Sequence, residues 1–88
     1  MATGKVDSVL DGDTFALANG KLVRLANVNA PESGQPGSQK ARQDLKRILP
    51  PGTIVGISPK AKSYGRTVAQ VTKNGKSVND SMLRKGYK

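Results

Sequence analysis

The sequence predicts a mainly-β domain with two helices: a five-stranded barrel of the OB type, in the order β-β-β-α-β-β-α. Three observations lead there. Short apolar runs with strand-like alternation are separated by Gly, Asn and Pro along most of the chain. One long stretch has helical spacing instead, with Ala41, Leu45, Ile48 and Leu49 at i, i+4, i+7 and i+8. Finally, 88 residues of which 35% are hydrophobic make only a small core. A closed sheet suits such a core because it leaves few edges to cover.

Val6, Val9 and Leu10 form the first strand, broken at Asp11-Gly12. Thr14 to Ala18 is the second, with Phe15 and Leu17 on one face. Asn19-Gly20 is a strong hairpin signal. Lys21 to Val28 returns as the third strand, Val23 and Leu25 facing one way and Arg24 the other. Asn27 breaks that parity, which predicts a bulge or strand end near it. Ala30 to Gly37 is a loop by composition. The helix that follows is expected to be capped by Ser38 and stopped by Pro50-Pro51-Gly52. Thr53 to Ile57 is the fourth strand, Pro59 to Gly65 a basic loop, and Arg66 to Thr72 the fifth strand. Asn74-Gly75 is a tight turn, and Val78 to Lys85 a short last helix with Gly86 just past its end.

Composition excludes several chemistries. The chain has no Cys and no His, so it offers no disulfide, thiolate nucleophile or imidazole base, and no preferred zinc ligands. Any metal must be a hard cation held by oxygen. Fifteen Lys+Arg against six Asp+Glu give +9, which points to a polyanionic partner. The longest apolar run, Phe15 to Ala18, is far too short to span a membrane, and no signal peptide is visible. One domain over residues 1–88 is expected, a monomer by default, and compatible with being a piece of a longer protein.

The six acids are Asp7, Asp11, Asp13, Glu32, Asp44 and Asp80. Asp11 and Asp13 flank a turn glycine, where two carboxylates approach one cation or simply make Asx hydrogen bonds. Asp44 and Asp80 fall on helices and are expected to be solvated. Arg24 lies within a strand, which aims its guanidinium for bidentate phosphate recognition. Arg66 follows Tyr64-Gly65, and Lys60 and Lys62 make that segment electropositive. Tyr64 has a ring for base stacking and a hydroxyl for a phosphate. Glu32 is a lone loop glutamate, the kind usually solvated; without His, a carboxylate is the remaining candidate for a general base.

In order along the chain, Asp11-Gly12-Asp13-Thr14, Val23-Arg24-Leu25, Val28-Asn29-Ala30-Pro31-Glu32 and Tyr64-Gly65-Arg66 resemble the staphylococcal nuclease (thermonuclease-like) family. Gly75, Val78-Asn79 and Met82-Leu83-Arg84-Lys85-Gly86 extend the resemblance to nearly the whole chain. It implies the OB-type barrel and Ca²⁺-dependent hydrolysis of DNA and RNA, leaving a 3′-phosphate and a 5′-hydroxyl. By this resemblance Asp13, Asn29 and the Ala30 backbone carbonyl hold the metal, with Asp11 in its outer shell. Glu32 is the general base, Arg24 and Arg66 clamp the phosphate, and Tyr64 contacts substrate. It also implies a secreted or envelope location.

The chain departs from the family pattern at three places. Asn29 stands where the family usually has Asp, which predicts weaker Ca²⁺ binding because ligand charge sets affinity. Ala30 replaces the usual Thr, and the family's third helix has no counterpart. The alternative reading is therefore a catalytically weak or inactive OB-fold module that binds nucleic acid.

Overall fold

A computed structural model describes residues 2–88. Its elements are β1 (Ala2–Asp11), β2 (Thr14–Leu17), β3 (Leu22–Leu25), α1 (Ser38–Ile48), β4 (Ile54–Ser63), β5 (Arg66–Lys73), β6 (Lys76–Ser77) and α2 (Val78–Arg84). The sheet runs β3-β2-β1-β4-β5-β6, and a parallel pairing of β3 with β5 closes five of these strands into a ring. The predicted barrel and element order are present, with the two-residue β6 as an addition.

Strand alternation fills the barrel. Phe15 and Leu17 of β2, Val23 and Leu25 of β3, Val55 and Ile57 of β4, and Ala69 and Val71 of β5 are buried together. In β1 the buried residues are Val6 and Val9, three apart. The odd spacing follows from a bulge: Val6 pairs with Leu17 but Ser8 with Ala16, so Asp7 is extra and parity flips after it. Leu10 then points outward, 41% exposed. Helix α1 closes one end with Ala41 and Leu45, and Leu49 at its C-cap is also fully buried. Helix α2 adds Val78 and Met82. Truncating a buried Leu or Phe to Ala typically costs about 2–5 kcal/mol, a large part of what a domain this size has to lose.

Several boundaries differ from the sequence expectation. Strand β1 begins at Ala2, because residues 2–5 pair with Ile57 to Ile54 of β4. Strand β3 ends at Leu25, and the chain turns at Asn27, which sits at φ 65. Ser38 does not cap α1; Gly37 occupies the N-cap at φ 84 without a side-chain bond. Residues 59–63 are strand, not loop: β4 continues to Ser63 with an irregularity between Pro59 and Ala61. Pro59 stands opposite Ala69 of β5, just before that irregularity. The Tyr64-Gly65 and Asn74-Gly75 turns each have both residues at positive φ, the geometry of tight hairpins. Among the described residues no helix is long and apolar enough to cross a membrane.

Candidate nuclease site

The turn between β1 and β2 places Asp13 at one end of the barrel, only 6% exposed. Its carboxylate accepts the Thr14 hydroxyl at 3.0 Å, the Ala30 N–H at 3.3 Å and Arg24 Nη2 at 3.4 Å. Arg24 comes from the outer face of β3, directly across from Thr14 in the β2–β3 register. Its Nη2 also donates to Asn29 Oδ1 at 3.0 Å, and its Nη1 to the Leu25 carbonyl at 3.3 Å. Two oxygens from distant positions, Asp13 Oδ2 and Asn29 Oδ1, therefore converge on one nitrogen of one guanidinium.

Asp11 faces the neighbouring loop, where its Oδ1 accepts the Ser33 hydroxyl at 3.0 Å. That bond draws the segment carrying Glu32 over the β1–β2 turn. Glu32 itself is exposed. Its N–H donates to Gln35 Oε1 and its carbonyl accepts the Gln35 N–H, both at 2.9 Å, so the loop is tied to itself. Ala30 contributes its N–H to Asp13.

Gly12 has a specific reason to lack a side chain. A Cβ there would lie 2.6 Å from Ala41 Cβ of α1 and 2.7 Å from Ala30 Cβ. The glycine lets the Asp11–Asp13 turn nest against both the helix and the Ala30 loop.

Arg66 is set by the barrel closure. In the parallel β3–β5 pair Leu22 faces Arg66 and Arg24 faces Val68. Paired residues share a face, so Arg24 and Arg66 both lie on the outer face, two residues apart along the strands. Strand geometry places their Cα atoms roughly 8 Å apart. Arg66 also lines an open groove of about 960 Å³ together with Lys21, Lys60, Lys62 and Tyr64. No acidic residue lines it. Tyr64, 96% exposed, stands at the tip of the β4–β5 turn.

The sequence-predicted residues thus fall into two adjoining sets. Asp13, Arg24, Asn29 and Ala30 are joined by hydrogen bonds, with Asp11 and Glu32 on the rim. Arg66, Lys60, Lys62 and Tyr64 line the basic groove. Among the described residues no three acidic side chains cluster as a metal cage. Asp13 and Asn29 carry hard oxygen donors of the kind a calcium ion prefers, and in this structure both are turned onto Arg24 Nη2. The donor set fits such an ion, with one carboxylate charge fewer than two Asp ligands would give.

Two residues tied to this site escaped the sequence reading. Asp44 of α1 is not solvated but buried, 8% exposed. It accepts the Tyr87 hydroxyl at 2.7 Å and Lys40 Nζ at 3.3 Å. The Tyr87 hydrogen bond, with Lys40 beside it, holds the Asp44 carboxyl below its ordinary range despite burial. Burial and the Asp44 carboxylate push the Tyr87 hydroxyl up. The signal lay in the helix period: Asp44, three after Ala41 and four before Ile48, falls on the apolar stripe. Asp80, by contrast, is exposed as expected.

Comparison with known proteins agrees with this geometry. Residues 22–88 match the model of the family described as staphylococcal nuclease homologue. A protein of Escherichia coli O157:H7 named "Uncharacterized endonuclease" is 32% identical over 87 residues, 94% of this chain and 57% of its own length. A "Micrococcal nuclease" of Shigella flexneri is 39% identical over 71 residues, 77% of this chain and 41% of its own. A staphylococcal-like nuclease of Arabidopsis thaliana is 31% identical over 70 residues, 80% of this chain and 22% of its own. The chain spans between about a fifth and three fifths of these relatives. The family match over residues 22–88 takes in well over half of the sequence, and so this chain belongs to the staphylococcal nuclease homologue family.

Proposed function

We propose that this domain is a Ca²⁺-dependent phosphodiesterase that hydrolyses DNA or RNA and leaves a 3′-phosphate. One observation carries the reading: Arg24 Nη2 is held at once by Asp13 Oδ2 and Asn29 Oδ1. A phosphate-binding cation and two hard oxygen donors are thereby preorganised at one point, which is what charge stabilisation in phosphoryl transfer needs.

In this mechanism Arg24 and Arg66 take the nonbridging oxygens of the scissile phosphate from the shared outer face of β3 and β5. Glu32, at the rim and without a salt-bridge partner among the described residues, takes a proton from the attacking water. The oxygen of that water bonds to phosphorus, the bond to the 5′ oxygen breaks with its electron pair, and the leaving 5′ oxygen takes a proton from solvent water. Lys60, Lys62 and Tyr64 hold the flanking strand in the basic groove, by phosphate contacts and stacking. Calcium on Asp13, Asn29 and the Ala30 carbonyl, with Asp11 outside, would supply Lewis-acid polarisation of the phosphoryl oxygen.

The test is digestion of single-stranded DNA by the purified chain with Ca²⁺ or with EDTA, alongside Glu32→Gln. Cleavage that needs Ca²⁺ and falls by orders of magnitude in the variant is the expected result. Retained DNA binding without cleavage at millimolar Ca²⁺ overturns the enzyme reading. It favours a nucleic-acid-binding module, for which the neutral Asn29 speaks.

A further inference from the structure

Beyond the site itself, we propose that Tyr87 is a positioning residue for the Asn29–Ala30 loop, locked by Asp44 of α1. Three hydrogen bonds support it. The Tyr87 hydroxyl donates to Asp44 Oδ2 at 2.7 Å. The Tyr87 carbonyl accepts the Asn29 N–H at 3.1 Å, and its own N–H donates to the Met82 carbonyl of α2 at 3.3 Å. The ring packs against the core. One residue therefore joins α1, the end of α2 and the backbone at Asn29.

The arrangement has a direct consequence for Asn29. This residue follows the turn at Asn27, beyond the end of β3, so no strand ladder holds its amide. The Tyr87 carbonyl is its backbone partner. That bond fixes the loop so that Asn29 Oδ1 meets Arg24 and the Ala30 N–H meets Asp13. Asp44, held rigidly on the buried face of α1, in turn fixes the Tyr87 ring. The effect on catalysis rests on the functional reading above; the effect on the loop does not.

The test uses the 88-residue chain, its Tyr87→Phe and Asp44→Asn variants, and two readouts. The first is amide hydrogen exchange at Asn29, compared with Val71 in the core. In Tyr87→Phe the Asn29 amide should exchange about tenfold faster with Val71 unchanged, the mark of local opening. Asp44→Asn, which keeps a carbonyl to accept the phenol proton, should retain most of the protection. The second readout is calorimetric titration with Ca²⁺ alone, for which Tyr87→Phe should bind several-fold more weakly. Unchanged exchange at Asn29 overturns the proposal. Equal acceleration at Asn29 and Val71 also overturns it, since that marks a general loss of stability. If the unaltered chain binds no Ca²⁺, the nuclease reading fails, and the exchange comparison still decides the role of Tyr87.

Discussion

The side-chain oxygen of Asn79 accepts the backbone N–H of Val71 at 2.9 Å, both residues being buried. The Asn79 amide nitrogen donates to the carbonyls of Ala26 and Ala69 at 3.0 and 3.1 Å. A single residue of α2 thus satisfies three backbone groups on β5 and on the turn after β3. Asn79→Ala strips this partner from the Val71 N–H and the Ala26 carbonyl, while the Ala69 carbonyl still accepts the Ala26 N–H at 2.9 Å. At about 1–3 kcal/mol per orphaned group, partly relieved by water, the expected loss is about 3 kcal/mol. Urea unfolding should show a lower midpoint at unchanged slope. Asn79→Asp should cost more, because a carboxylate would face two carbonyl oxygens.

The nesting of Gly12 predicts a second effect. Gly12→Ala puts a methyl group 2.6 Å from Ala41 Cβ, so α1 or the turn must move. Overpacking of this kind costs about 1–3 kcal/mol. Because the same turn carries Asp13, Ca²⁺ affinity should fall along with the melting temperature. Adding Ala41→Gly should restore part of the melting temperature; strict additivity of the two losses would refute the contact as the cause.

The Asp44–Tyr87 pair gives a pH dependence with a definite sign. The Asp44 carboxyl sits below its ordinary value in the folded chain, chiefly through the Tyr87 hydroxyl. The unfolded chain therefore takes up the proton first. The stabilisation is present above the unfolded value of about 4 and is lost as pH falls through the lower folded value. Asp44→Asn should flatten the acid limb of a stability–pH curve below about pH 4. An acid limb identical to that of the unaltered chain would rule Asp44 out as its source.

If the proposed metal site is correct, Asn29→Asp should tighten Ca²⁺ binding, since it adds a carboxylate charge beside Asp13. The same change gives Arg24 a second anionic partner. Calorimetry showing no gain in affinity would take Asn29 out of the metal shell.

Arg66→Gln tests the groove. It should weaken oligonucleotide binding and reduce the slope of log K against log salt by about 0.7–0.9, the share of one phosphate. An unchanged slope would mean that Arg66 touches no phosphate.

Much of this molecule was legible in its residues. The alternation of Phe15 with Leu17 and of Val23 with Leu25 gave the barrel interior correctly. Gly86 past α2 and the Asn74-Gly75 turn were also read correctly, because each residue type meets a local backbone demand. The errors came where a distant partner decides. Pro59 argued for a loop, yet the pairing with β5 carries β4 through it, with a register irregularity between Pro59 and Ala61. Ser38 is a good cap residue, but the chain enters α1 through a left-handed Gly37. For the site, the one-dimensional order of Asp13, Arg24 and Asn29 suggested a cluster, and hydrogen bonds join the three. Asp44 was misread as solvated because its partner, Tyr87, lies forty-three positions away along the chain.

The parallel pairing of β3 with β5 carries a kinetic consequence. It brings residue 22 beside residue 66, across α1 and the β4–β5 hairpin. Closing a loop of that length is entropically slow, so this pairing should form late, after the local hairpins. Arg24 and Arg66 meet on one face only once it has formed. A chain still folding, or one locally opened along that seam, would carry all the chemical groups of the site without the placement of Arg66 beside Arg24. On the proposed nuclease reading, hydrolysis should therefore appear in the last kinetic phase of refolding, together with the final protection of the β3–β5 amides.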